Sequence, residues 1–154
     1  MLKTTGIPNA IIDGIYTRNI TLYPNSILFT IVNAQYLTMS NLWISNITQD
    51  TSDADWILIS GMNTEVSINE TNFFSMDLNR SPALSFVGTF SSISMNGVYF
   101  DSIWIDSDTS IIDFESLNAL DMNQITFSNI KNHASESTNN YMIKISQTGN
   151  QYNI

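Results

Sequence analysis

The residues of this chain that could do chemistry are carboxylates, and they come in short clusters: Asp101, Asp106 and Asp108 with Asp77 and Asp113 to either side, and separately Asp50, Asp53 and Asp55. Two carboxyl groups held ~6.5–9.5 Å apart can run inverting glycoside hydrolysis, one as acid and the other as base. Oxygen-rich acidic loops also suit a hard cation such as calcium. Neither chemistry is completed by its surroundings. No basic side chain stands near the first cluster to stabilise developing negative charge, and His133 is a single histidine in the most polar stretch of the chain. The aspartate spacings match no EF-hand loop. Solvated loop carboxylates are therefore the expectation, with no catalytic residue and no cofactor, and with Asp106 and Asp108 as weak calcium candidates.

Whatever these side chains do, a repeat must position them. Five twelve-residue copies align without a gap: NAIIDGIYTRNI from Asn9, YLTMSNLWISNI from Tyr36, EVSINETNFFSM from Glu65, SISMNGVYFDSI from Ser92 and ALDMNQITFSNI from Ala119, spaced 27, 29, 27 and 27 residues apart. A fixed period of this size marks a stacked-repeat architecture. The second position is apolar in every copy (Ala10, Leu37, Val66, Ile93, Leu120), as is the fourth (Ile12, Met39, Ile68, Met95, Met122). A spacing of two puts both on one face of a short strand. The pairs that follow, Asp13-Gly14, Ser40-Asn41, Asn69-Glu70, Asn96-Gly97 and Asn123-Gln124, predict a bend. Beyond it a second strand carries Thr17, Ile44, Phe73, Phe100 and Phe127 inward, and a second corner closes on Ile20, Ile47, Met76, Ile103 and Ile130. Phe73, Phe100 and Phe127, beneath Ile44, are expected to form a core stack.

A third apolar run precedes four of the copies and follows the last: Ile27 to Val32, Trp56 to Ile59, Ala83 to Val87, Ile111 to Phe114 and Tyr141 to Ile145. Leu28, Ile57, Leu84 and Ile111 each lie nine residues before the second position of the next copy, which predicts that they share a column. Three short strands per period, bent rather than hairpinned, describe a coil of a parallel β-helix. With coils ~4.8 Å apart, five make a rod roughly 25 Å long. The expectation is one all-β domain over residues 1–154, with variable polar loops leaving a single corner. Met1 to Pro8 would be a lead-in or the tail of an earlier coil, and Gln151 to Ile154 falls where a sixth would begin. Neither end reads as a polar cap, so part of a longer β-helix, or end-to-end stacking of copies, is expected.

The fifth-position column, Asp13, Ser40, Asn69, Asn96 and Asn123, resembles the asparagine ladder of the pectin-lyase-like right-handed parallel β-helix family. That resemblance implies stacked amides hydrogen-bonding along a two-residue corner, and a right-handed coil, as parallel crossovers generally are. It also implies that an active member would hold clustered aspartates with Arg, Lys or His on an outer strand face. Asp101, Asp106 and Asp108 against Asp77 or Asp113 supply the acids but no base beside them. The Asn- and Ile-rich composition is similar to that of β-helical surface proteins of protists and microbes.

Two surface features remain. Tyr16, Trp43 and Tyr99 share the eighth, outward position, and Trp104 and Phe74 lie near it, which makes a sugar face or a protein contact the sharp expectation and packing under a neighbouring loop the plain one. Four N-x-Ser/Thr sequons occur at Asn19, Asn46, Asn69 and Asn79. Asn69 sits in the ladder and Asn79 precedes Arg-Ser-Pro, so Asn19 and Asn46, in one column on adjacent coils, are the better glycosylation candidates.

A formal charge of −9 with only five bases argues against a phosphate-binding surface and so against nucleic acid. No 18-residue apolar run predicts a membrane span. MLKTTGIP lacks the apolar core of a signal peptide, so an exported form would be a mature segment or a fragment. Together these features favour a non-catalytic structural block of an extracellular or cell-surface filament or adhesin. Its partners would be copies of itself or neighbouring coils of a longer chain, and glycans. A carbohydrate-binding module or degenerate polysaccharide lyase or hydrolase is the alternative, and a tailspike-like viral fibre the third.

Overall fold

A computed structural model describes residues 2–23, 26–49, 55–79, 81–105, 109–132 and 140–153, with the side chains of 49, 55, 63 and 147–153 left aside. The described residues are strands and the corners between them, with no helix. The strands are β1 (Leu2–Thr5), β2 (Asn9–Asp13), β3 (Tyr16–Leu22), β4 (Ile27–Val32), β5 (Tyr36–Ser40), β6 (Trp43–Gln49), β7 (Asp55–Leu78), β8 (Leu84–Ile105), β9 (Ser110–Ser128), β10 (Lys131–Asn132) and β11 (Tyr141–Asn153). Every pairing is parallel and joins residues about one period apart. The fold is a β-solenoid of about five turns.

The five copies stack as their columns predict. Ala10 pairs with Leu37, Leu37 with Val66, Val66 with Ile93 and Ile93 with Leu120. Early coils break into separate strands at each corner, whereas β7 and β8 run on through three corners and β9 through two. At the first corner Gly14, Asn41, Glu70, Gly97 and Gln124 all have positive φ, between 48° and 67°. At the second, Asn19, Asn46, Ser75, Ser102 and Asn129 do the same, between 51° and 57°. Each of these corners thus turns on a single left-handed residue that reverses no strand, and the next apolar side chain still points inward.

The core is the inside of the coil. Met39, Ile44, Ile68, Phe73, Met95 and Phe100 are wholly buried. Phe73 and Phe100 stack with centroids 4.7 Å apart and planes 4° from parallel, and Phe100 stacks on Phe127 at 5.2 Å. On the third side Phe86 stacks on Phe114 at 4.8 Å. The coil repeat sets these spacings: one strand step along the axis is close to the thickness of stacked rings.

The third side departs from the expected column. Phe29, not Leu28, pairs with Ile57, and Leu84 pairs with Ile112, not Ile111. Coils three and four carry an extra residue at the corner that follows, where the register shifts between Met62 and Glu65 and between Phe86 and Thr89. A bulge absorbs one residue and leaves the pairing on either side intact. Counting backwards from the next copy therefore lands one residue off in the unbulged coils. Gly61 pairs with Gly88 at this corner, and Thr64 donates its hydroxyl to the buried Ala34 carbonyl at 2.7 Å.

Both ends of the chain continue the pattern. β1 pairs with β4 as the third strand of a preceding coil, and Gln151, Tyr152 and Asn153 pair with Ala119, Leu120 and Asp121 as the start of another copy.

Candidate functional site

The outward face of the second strand positions the candidate side chains. Inward and outward residues alternate there, so positions eight and ten lie on the outer side of the strand, to either side of the inward ninth. Tyr16 and Trp43 stack with centroids 6.3 Å apart and planes 19° from parallel. Trp43 then stacks on Phe74 at 5.0 Å and 18°. This ladder crosses from the eighth column to the tenth, because the third copy has Asn72 at position eight and Phe74 at position ten.

Rings stacked this way spend their broad faces on each other. A flat sugar platform requires those faces to point to solvent; Trp43 spends both of its faces on Tyr16 and Phe74, whereas Tyr16, at the end of the ladder, stays exposed. The ladder stops after Phe74. One coil further on, its pairing partner is Asp101, beside Tyr99, and an open groove of about 300 Å³ lies there between Asn72, Phe74, Tyr99, Asp101, Thr126 and Ser128.

Asp101 is the most constrained carboxylate of this face. Asn129 donates its amide to Oδ1 at 2.8 Å and Ser102 its hydroxyl to Oδ2 at 3.1 Å. Hydrogen bonds from Ser128 first, then from Asn129 and Ser102, hold the carboxyl below its usual range. Asp13 is held low in the same way, by Ser40 at 2.6 Å and by the Asn41 amide at 2.9 Å. Both groups are depressed in the folded state, so their stabilisation is complete above the unfolded carboxylate pKa of about 3.9 and is lost as pH falls through the lower folded value. Urea midpoints measured from pH 6 to pH 2.5 are expected to fall more steeply below about pH 4 in the parent chain than in an Asp13→Asn, Asp101→Asn double variant. Identical slopes would mean that the two bonded clusters add nothing.

Among the described residues, Asp77 and Asp113 are not gathered around Asp101. Asp77 pairs in register with Trp104, and both border a second groove of about 340 Å³ with Thr48, Ser75 and Met76. Trp104 is covered in part by Lys131, whose Nζ lies 4.5 Å from the ring centroid. Asp113 stands on the third side and meets Lys144 at 3.6 Å. Asp106, Asp108, Asp50, Asp53 and His133 lie outside the described residues, as does the side chain of Asp55. Among the described residues no three His, Cys, Asp or Glu side chains converge on a point that could hold a metal ion.

The fifth-position column keeps its register from Asp13 through Ser40, Asn69 and Asn96 to Asn123, but its side chains do not bond amide to amide. Asn69 donates to Ser67 on its own strand at 2.9 Å, and Asn96 and Asn123 are exposed. The bend places this residue just before the left-handed corner, where its side chain leans to solvent. Within the copies, asparagine bonds asparagine at position eleven, where Asn46 donates to Asn19 Oδ1 at 3.2 Å. Asn96→Leu is accordingly expected to change stability by no more than about 0.5 kcal/mol, although an amide ladder would make it costly. Urea unfolding distinguishes the two, and a loss above about 2 kcal/mol would restore the ladder.

Comparison with protein-family profiles, characterised proteins and solved structures finds no match to this chain.

Sequence reasoning placed Tyr16, Trp43 and Tyr99 on one outward column and set Phe74 beside it. Phe74 joins the ladder from position ten, which no single column of the repeat shows. Two outward positions of the same strand, eight and ten, lie close enough for a large ring to lean from one to the other.

Proposed function

We propose that this chain is a structural, non-catalytic block of an extracellular or cell-surface filament or adhesin, built as a right-handed parallel β-helix of the pectin-lyase-like kind. The observation that supports this reading is that its outward side chains are bonded to one another along the axis, coil to coil. Tyr16, Trp43 and Phe74 stack, Asn46 bonds Asn19, Thr48 bonds Thr21, and Ser40 bonds Asp13. Surfaces that satisfy themselves along the axis lend a rod stiffness in its own direction. Edges left by the first and last coils would be met by neighbouring coils of a longer chain or by another copy, a heterologous contact that does not close. Electron microscopy and light scattering at micromolar concentration are expected to show rods of constant width that lengthen with time. A folded chain that stays monomeric would count against assembly.

Export makes a separate prediction. Asn19 and Asn46 are exposed, whereas Asn69 and Asn79 are half-buried. Because the Asn46 amide already reaches Asn19, two bulky glycans would compete for one site on the surface. Glycopeptide mass spectrometry of native material is expected to find sugar at one of these two asparagines and none at Asn69. Bare asparagine at every sequon would remove the main reason to place the protein outside the cell.

A further inference from the structure

The groove beyond Phe74 occupies the place of the ring that would come next in the external ladder. We propose that it binds one neutral pyranose residue of a glycan, stacked on the free face of Phe74 and hydrogen-bonded to Asp101. This goes beyond the scaffold reading and does not depend on it.

Three observations lead there. First, Trp43 covers one face of Phe74, and the groove on the other side is bordered by residues of the next two coils, Tyr99, Asp101, Thr126 and Ser128. A saturated ring bearing axial C–H groups lies flat against such a face as another aromatic ring would. Second, a groove of about 300 Å³ stands at the small end of ligand sites and suits one sugar ring with its neighbours projecting along the surface. Third, the state of Asp101 selects among ligands. Asn129 takes Oδ1 and Ser102 takes Oδ2, so neither oxygen is left clear for the two parallel bonds of a guanidinium fork. Because Ser128 donates to Asp101 as well, at most one acceptor site remains, enough for a single hydroxyl donor such as a sugar supplies, with the Asn72 amide and the Thr126 hydroxyl at the groove margin as further partners. An anionic sugar would meet an ionised carboxylate on a chain of formal charge −9 and is disfavoured.

The groove is separate from the Trp104 groove, where Lys131 already lies over the ring.

Isothermal titration of the intact chain with neutral glucan, mannan and galactan pentasaccharides, pentagalacturonate and pentaarginine tests the proposal. At least one neutral pentasaccharide is expected to bind, and pentagalacturonate at least ~10-fold more weakly, a difference of about 1.4 kcal/mol. Phe74→Ala and Asp101→Asn should each weaken the neutral ligand at least ~10-fold, while Trp104→Ala should leave it unchanged. Circular dichroism shows whether each variant folds, and Asp101→Asn, which keeps shape and exposure, remains informative if Phe74→Ala does not. Failure of every neutral sugar to bind the folded chain overturns the proposal. So does tighter binding of pentagalacturonate or pentaarginine, or affinity that survives Asp101→Asn. None of these outcomes bears on rod formation, which microscopy reads independently.

Discussion

Phe100→Ala is expected to destabilise the chain by roughly 3–5 kcal/mol, the range for removing a large ring from a core that cannot collapse around the gap. Phe100 is wholly buried and is clamped between Phe73 at 4.7 Å and Phe127 at 5.2 Å. Its neighbours above and below are fixed by backbone pairing to the same register, Phe73 to Phe100 and Phe100 to Phe127. They cannot slide together to fill the space without breaking strands, so the cavity term stays large. Asp101→Ala, one residue along on the outer face, should cost much less at neutral pH. Urea unfolding of the two variants gives the comparison. Equal losses would mean that inward and outward positions have been assigned to the wrong faces.

Gly88→Ala is expected to cost roughly 2–5 kcal/mol, from backbone strain and overpacking together. Gly88 has φ of 116°, outside what side-chain-bearing residues readily adopt, and a Cβ there would collide with the Gly61 carbonyl oxygen of the coil before it. That obstacle is backbone, which sits in the paired ladder and cannot rotate away. The Gly88 amide also donates to Glu115 Oε2 at 2.8 Å, tying the bulged corner to the next coil. Gly14→Ala makes the control. Gly14 has φ of 67° with nothing within 4 Å of its Cβ position, and Asn41, Glu70 and Gln124 occupy the equivalent place in other coils. Its substitution should cost only about 1 kcal/mol. If both glycines tolerate alanine equally in urea unfolding, the close approach at the third corner is absent.

The sequence spoke most clearly where one geometric rule governs a whole column. Alternation gave the buried Ile44, Phe73, Phe100 and partly buried Phe127, because a side chain two residues along a strand returns to the same face. The corners were legible as turns but not in their mechanism. Glu70, Ser75, Ser102 and Gln124 are not residues that favour left-handed backbone, and only their place in a column beside Gly14, Asn19 or Gly97 explains the conformation. The third side was misregistered at Leu28 and Ile111, since a bulge adds a residue without disturbing the apolar pattern on either side. The groove was hidden for a related reason. It depends on where an aromatic ladder stops and on which lone pairs of Asp101 are already taken, and neither is a property of one column.

Parallel stacking one period apart is tested most directly by cross-linking, and the chain has no cysteine to interfere. Ser67 pairs with Ser94, and Ser94 with Asp121, along the third position of successive copies. Neighbouring strands lie ~4.8 Å apart, within the Cα range of a disulfide, whereas two coils span roughly twice that distance. In dilute solution Ser67→Cys with Ser94→Cys should oxidise to an intramolecular disulfide in the folded chain, detected by mass spectrometry of the cross-linked peptides. Ser67→Cys with Asp121→Cys should remain reduced under the same conditions. No bond between positions 67 and 94, or one formed as readily between 67 and 121, would contradict the solenoid.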